Sequence, residues 1–118
     1  MTIVTQENFN EEITILLNNL VDDSNVIIDI ESNGTDLFSN QQLCGVGIGI
    51  PTKEDFLQYY PFRHKHTQGE NLDNDQLLTL ISILSNNATT FIGHNVKFDL
   101  HFMEADGLVV DDKKMIDT

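Results

Sequence analysis

Hydrophobic residues in this chain switch repeatedly between two spacings, and the switches divide it into elements. Thr2-Ile3-Val4-Thr5 has the β-branched content of a short first strand. From Asn8 to Val21 the spacing is helical, with Ile13, Leu16, Leu17, Leu20 and Val21 on one apolar stripe. Asn8, with Glu11 three residues on, is placed to cap that helix reciprocally. Asp22 to Asn25 reads as a turn. Val26-Ile27-Ile28-Asp29-Ile30-Glu31 then predicts a buried strand, because consecutive β-branched residues suit a pleat packed on both faces.

Ser32-Asn33-Gly34-Thr35-Asp36 has turn composition, with Gly34 free to take positive φ. Leu43 to Ile50 is a strand with divided faces: Cys44, Val46, Ile48 and Ile50 on one, Gly45, Gly47 and Gly49 on the other. The glycine face predicts close approach of a helix. A phosphate-binding loop is excluded, since Pro51 closes the strand and no helix opens after Gly49. Phe56 to Phe62 alternates like a strand, which Pro61 confines to an edge or a strand end. His64 to Glu70 is a polar loop in which His64 and His66 are expected to be exposed.

Asp73 with Gln76 opens a second helix carrying Leu77, Leu80, Ile81 and Leu84 on one face, and Asn86-Asn87 ends it. Ala88 to Gly93 is a short strand. Asn95 is predicted to cap a third helix, Val96 to about Asp106, with Gly107 as its stop and with Phe98 and Phe102 facing the core. The three central strands therefore predict an antiparallel meander, and the helix after them a crossover into parallel pairing. The expected fold is α/β, a mixed sheet flanked by helices.

At 118 residues the chain is expected to form one domain. It contains no apolar run of the roughly 20 residues that span a bilayer. Its first residues lack the basic and apolar regions of a signal peptide, so a cytoplasmic location is expected. A single cysteine, Cys44, cannot form an internal disulfide and is expected to be a small core thiol. The net charge of −13 argues against holding a polyanion through a broad basic stripe. If this chain touches nucleic acid, metal ions or another polypeptide must supply positive charge.

That requirement gives the carboxylates their interest. Asp29 and Glu31 share one face of the buried strand, roughly 7 Å apart. Like charges there repel and lose solvation. Asp99 sits in the first turn of the third helix, where the helix dipole alone would favour an anion. If the crossover is formed, however, Asp99 comes over the strand end that bears Asp29 and Glu31. Three converging carboxylates call for divalent cations, and an all-oxygen ligand set suits Mg²⁺ or Mn²⁺. Two such ions about 3.5–4 Å apart can clamp the attacking and leaving oxygens of a phosphodiester.

Asp29-Ile30-Glu31 followed by a turn resembles the first motif of the DEDD 3′–5′ exonucleases, and His94-Asn95-Val96-Lys97-Phe98-Asp99-Leu100-His101-Phe102 resembles their second. In its Asn-x-Lys-Phe-Asp form the latter motif is most similar to the proofreading domain of bacterial and phage DNA polymerase I, in the family A polymerases. Tyr59-Tyr60-Pro61-Phe62 and Ile116-Asp117-Thr118 are similar to further segments of that family. The resemblance implies a ribonuclease H-like fold and a two-metal exonuclease that hydrolyses DNA from the 3′ end. Asp29 would bridge two metals, Glu31 would hold the nucleophile-side metal, and Asp99 the leaving-group-side metal. Asn95 would steady the terminal nucleotide, and the loop from Ser32 through Thr35 would line the 3′ end. Thr35 stands where the family commonly has a wedging leucine. Asp117 would lie outside the ligand set.

The family's third motif, with a fourth acidic ligand and a Tyr or His that orients water, falls beyond Thr118. The resemblance thus implies a C-terminally incomplete domain, inactive alone, with single-stranded DNA, a polymerase domain or the remaining exonuclease segment as partners. A nucleoid-associated location and self-association of the incomplete domain are also expected. Two alternatives stand beside it: an interaction module of a replication complex, and a ribonuclease D-like exoribonuclease.

Overall fold

The computed structural model describes residues 1–32, 43–64 and 71–118. Its strands are β1 (Thr2–Ile3), β2 (Asn25–Ser32), β3 (Leu43–Ile50), β4 (Lys53–Pro61), β5 (Thr90–Gly93) and β6 (Lys114–Asp117). Its helices are α1 (Phe9–Asp22), α2 (Asn74–Asn87) and α3 (Val96–Ala105). The described strands make one sheet in the order β1-β4-β3-β2-β5-β6, so the carboxylate-bearing strand lies in its interior. β2, β3 and β4 form the predicted antiparallel meander, and the α2 crossover delivers β5 parallel to β2. β6 adds a further parallel strand beside β5, and β1 pairs parallel with β4 at the opposite edge. Of these two edges, only β1 was expected from the sequence.

One sheet face carries the core. Val26 and Ile28 of β2, Val46 and Ile48 of β3, and Phe91 of β5 meet Leu16 and Leu20 of α1 and Leu77, Leu80 and Leu84 of α2. Leu100 and Met103 of α3 join the same cluster. Within it Gln58 and Tyr60 bury a polar link: the Tyr60 hydroxyl donates to Gln58 Oε1 (2.6 Å), and Gln58 Nε2 donates to the Glu12 carbonyl (2.8 Å). Burial first, then the negative Glu12, pushes the Tyr60 phenol well above its ordinary pKa. The link fixes β4 against α1, because an unpaired buried amide would cost more than the bonds contribute.

Several local expectations change. The α1 stripe is Phe9, Ile13, Leu16 and Leu20, while Leu17 is only partly covered and Val21 is 80% exposed. Phe9 takes the anchoring role, packing edge-on against Tyr60. Asn8 does not cap α1 through its side chain. Its Oδ1 instead accepts from the Thr5 amide (2.7 Å) and its Nδ2 donates to the Ile3 carbonyl (3.1 Å), which folds the turn from β1. The Asp73–Gln76 capping box of α2 forms as predicted. Phe102 is buried as expected, while Phe98 is half-buried and packs edge-on against it; the α3 residues in the main core cluster are Val96, Leu100 and Met103. No helix among the described residues is long and apolar enough to cross a membrane.

The glycine face of β3 is the larger correction. Atoms nearest a side chain built at Gly45, Gly47 or Gly49 come from β2 and β4 rather than from a helix. At Gly45 the space is filled by the Tyr59 ring, whose hydroxyl would overlap a Cβ outright. Gly45 therefore leaves room for an aromatic side chain from the next strand, while Gly47 and Gly49 would meet β2 and β4 only at ordinary contact distance.

Candidate active site

Register places the site. Asp29 pairs with Gly47 and Glu31 with Gly45, so both carboxylates stand on the glycine side of the sheet, above a strip with no side chains. They edge a groove of about 480 Å³ whose lining includes Ile27, Leu57, Tyr59 and His64. Both carboxylates are exposed. Asp99 is not: α3 packs against β2, β5 and β6 and presents Asp99 on its buried side, 9% exposed. Its Oδ2 accepts from the amide of Ile30, the residue between Asp29 and Glu31, at 3.3 Å. Asp99 therefore reaches the strand backbone between the other two and feels the charge on Asp29, while the three carboxylates are not gathered as a metal-ligand group among the described residues.

Burial raises the Asp99 pKa above the usual carboxylate range. The Ile30 amide opposes that shift, the charge on Asp29 adds to it, and His94 pulls it back. Among the described residues the only salt bridge joins Arg63 to Asp106, at 3.1 Å, so none of the three carboxylates is ion-paired there. An oxygen-rich, uncompensated set of this kind fits hard divalent cations.

Asn95 reaches the site differently from the expectation. It adopts a left-handed backbone (φ 59°) and makes no side-chain cap. The cap of α3 comes from Asp117 of β6, whose Oδ1 accepts from the Val96 amide at 2.8 Å. Asn95 stays exposed at the turn between β5 and α3. Gly93 completes that turn, since a Cβ there would press to 2.7 Å from the Ile28 carbonyl. Ser32 is the last residue of β2, half-buried and paired with Leu43. Thr35 and His66 lie outside the described residues.

Two groove residues were missed as functional candidates. Tyr59 reaches across the glycine strip and donates to Glu31 Oε2 (2.9 Å), and His64 Nε2 lies 2.9 Å from the same hydroxyl. With the phenol's one proton given to Glu31, the Tyr59 oxygen can accept from His64 Nε2 in the tautomer that carries its proton there. Burial first, then the Glu31 hydrogen bond, holds the Tyr59 phenol well above its ordinary pKa. His64 is half-buried, not a free loop residue, and Asn71 grips its backbone on both sides (3.1 and 2.9 Å). The period-two pattern that puts Gly45, Gly47 and Tyr59 on one face was the available signal.

The fold is ribonuclease H-like, the class shared by DEDD-type exonuclease domains. The chain superposes on the EXD2 exonuclease domain soaked in Mg with a TM-score of 0.65 and 21% identity, over 98% of this chain and 55% of that one. It matches S. pombe Pop2p in its Mg²⁺- and Mn²⁺-bound form (TM-score 0.63, 13% identity, 89% and 62% covered). It also matches the Aedes aegypti Nibbler EXO domain (TM-score 0.62, 10% identity, 98% and 51% covered). The chain thus spans between about half and two-thirds of the length of these structures. No protein-family model and no curated protein matches the sequence.

Proposed function

We propose that this chain is the N-terminal portion of a two-metal 3′–5′ exonuclease domain that hydrolyses DNA from its 3′ end. The observation that carries the reading is the Ile30 amide to Asp99 hydrogen bond, which seats a buried helix carboxylate on the strand between Asp29 and Glu31 with no ion pair among the described residues. The likeness to exonuclease structures that hold Mg and Mn supports a divalent metal in this reading. Asp29, Glu31 and Asp99 hold Mg²⁺ or Mn²⁺ in this reading. When bound, such ions supply the charge that activates water and stabilises the departing 3′ oxygen.

The chain's own residues do the remainder. Asn95, exposed beside Asp99, holds the terminal nucleotide, together with the segment from Ser32 through Thr35. Asp117 positions rather than ligates, by fixing the first turn of α3. The fourth acidic ligand and the residue that orients water come from sequence beyond these 118 residues, so the chain alone is expected to be inactive. A polymerase domain or the remaining exonuclease segment is the partner that completes it.

The test uses the full-length protein on matched single-stranded DNA and RNA oligonucleotides with Mg²⁺ or Mn²⁺. Shortening of DNA from the 3′ end that Asp29→Ala abolishes is the expected result. Activity that survives that change overturns the proposal, and preferential degradation of RNA moves it to an exoribonuclease.

A further inference from the structure

Cys44 departs from its expected place. Glu31 pairs with Gly45 and Ser32 with Leu43, so the β2–β3 register skips Cys44. It is the extra residue of a β-bulge, a device that re-aims side chains next to functional sites. Cys44 is buried, yet it is absent from the core cluster that holds its expected neighbours Val46, Ile48 and Ile50. Its Sγ instead lies with a Glu31 carboxylate oxygen and a His64 ring nitrogen, all within 4.8 Å of one another.

We propose that Glu31, Cys44 and His64 form a second metal site, specific for zinc-type ions, that shares Glu31 with the carboxylate site. The three ligands come from separate parts of the sheet: β2, the bulge of β3 and the segment after β4. Tyr59 already bridges two of them, at 2.9 Å to each, and Asn71 holds the His64 backbone in place. Tetrahedral zinc with bonds of about 2.0–2.3 Å keeps its ligand atoms roughly 3.3–3.8 Å apart, so the groups must close by about 1 Å. One thiolate, one imidazole and one carboxylate match zinc and not magnesium, which takes oxygen ligands. Binding displaces the Cys44 thiol proton to solvent, requires the His64 nitrogen that faces the ion to be unprotonated with the ring proton on the other nitrogen, and takes over the contacts that Tyr59 now makes.

Glu31 is the one ligand that the two sites share, and closing on Cys44 and His64 draws it toward them. An ion bound to Cys44 and His64 withdraws it from Asp29 and Asp99, so zinc opposes magnesium-dependent activity; this consequence alone rests on the exonuclease reading.

Co²⁺ titration of the 118-residue chain tests the site without any activity measurement. The expected spectrum has a thiolate-to-cobalt charge-transfer band that Zn²⁺ abolishes by displacement. Cys44→Ser removes the band, and His64→Gln lowers Co²⁺ affinity more than about tenfold. Circular dichroism shows that both variants remain folded. A cobalt spectrum without sulfur character in folded protein, or an affinity unchanged in folded His64→Gln, overturns the proposal. Mn²⁺ binding, read by electron paramagnetic resonance, should depend on Asp29 and Asp99 and be indifferent to Cys44→Ser. Loss of that dependence counts against the exonuclease reading and leaves the cobalt result standing.

Discussion

Asp23 anchors the strand that carries the candidate site, and replacing it gives a quantitative test of the packing. Its Oδ1 accepts from the Asn25 amide (3.0 Å) and from Asn25 Nδ2 (2.8 Å), while its Oδ2 accepts from the Thr52 hydroxyl (2.8 Å). One carboxylate thereby ties the start of β2 to the turn between β3 and β4. The Asn25 amide first, then the Thr52 hydroxyl, lowers its pKa despite burial. Hydrogen bonds to a charged group contribute about 1.5–3 kcal/mol each when sheltered. Here Thr52 is exposed and Asn25 partly so, and water replaces much of what Asp23→Ala removes. A loss of about 2 kcal/mol is therefore expected, a large share of the roughly 5–15 kcal/mol that holds a domain folded.

Urea unfolding followed by circular dichroism reads this directly. With a slope of about 1–1.5 kcal/mol/M, the midpoint should fall by about 1.5 M. A double-mutant cycle with Thr52→Val should show coupling of about 1 kcal/mol. The pH dependence has a definite sign. A depressed carboxylate contributes stability that is complete above its unfolded value of about 3.9 and is lost as pH falls through the lower folded value. The gap between the native chain and Asp23→Ala should therefore narrow on acidification below about pH 4. An unchanged midpoint, or no coupling to Thr52, would refute the idea that this carboxylate anchors β2.

Other changes probe the site itself. Gly93→Ala should cost about 1–3 kcal/mol in the same urea assay, because its Cβ meets the Ile28 backbone carbonyl at 2.7 Å and neither strand can yield cheaply. Asp117→Ala removes the α3 cap, and should cost about 1 kcal/mol while weakening Mn²⁺ binding through the displaced Asp99. Gly45→Ala should drive the Tyr59 ring off the glycine strip and bring its phenol back toward an ordinary pKa, visible as phenolate absorbance at lower pH. Asp99→Asn should stabilise the metal-free chain at neutral pH and abolish Mn²⁺ binding. Burial raises the Asp99 pKa, so its ionisation costs stability as pH rises from about 3.9 through the folded value, and the amide is spared that cost.

The sequence disclosed those parts of the architecture that rest on periodicity. Strict alternation in β3 and four leucine-type positions in α2 each specify one element and one buried face, whereas the β-branched run of β2 specified the strand but not its faces: it read as packed on both sides, and the face of Ile27, Asp29 and Glu31 is exposed. Asp99 was placed by the same logic, since parallel pairing of β5 with β2 leaves its following helix little choice. What escaped depended on partners distant in sequence. The α3 cap passed from Asn95 to Asp117 because a strand with the polar composition Lys-Met-Ile-Asp docks beside β5, and nothing local marks that strand. Cys44 is buried as expected, but it lies outside the cluster of Val46, Ile48 and Ile50 because a bulge shifts the register by one residue, which an alternation pattern cannot register. His64 belonged to a polar stretch and became half-buried only through Asn71 and Tyr59, neither of which signals that contact in sequence.

The cap supplied by Asp117 also ties the seating of Asp99 to a neighbouring strand. Asp117 Oδ1 meets the Val96 amide from β6, and β6 is held by its pairing with β5. Whatever loosens β6 therefore frees the first turn of the helix that carries Asp99, so the edge of the described sheet governs how firmly that buried carboxylate is held against β2.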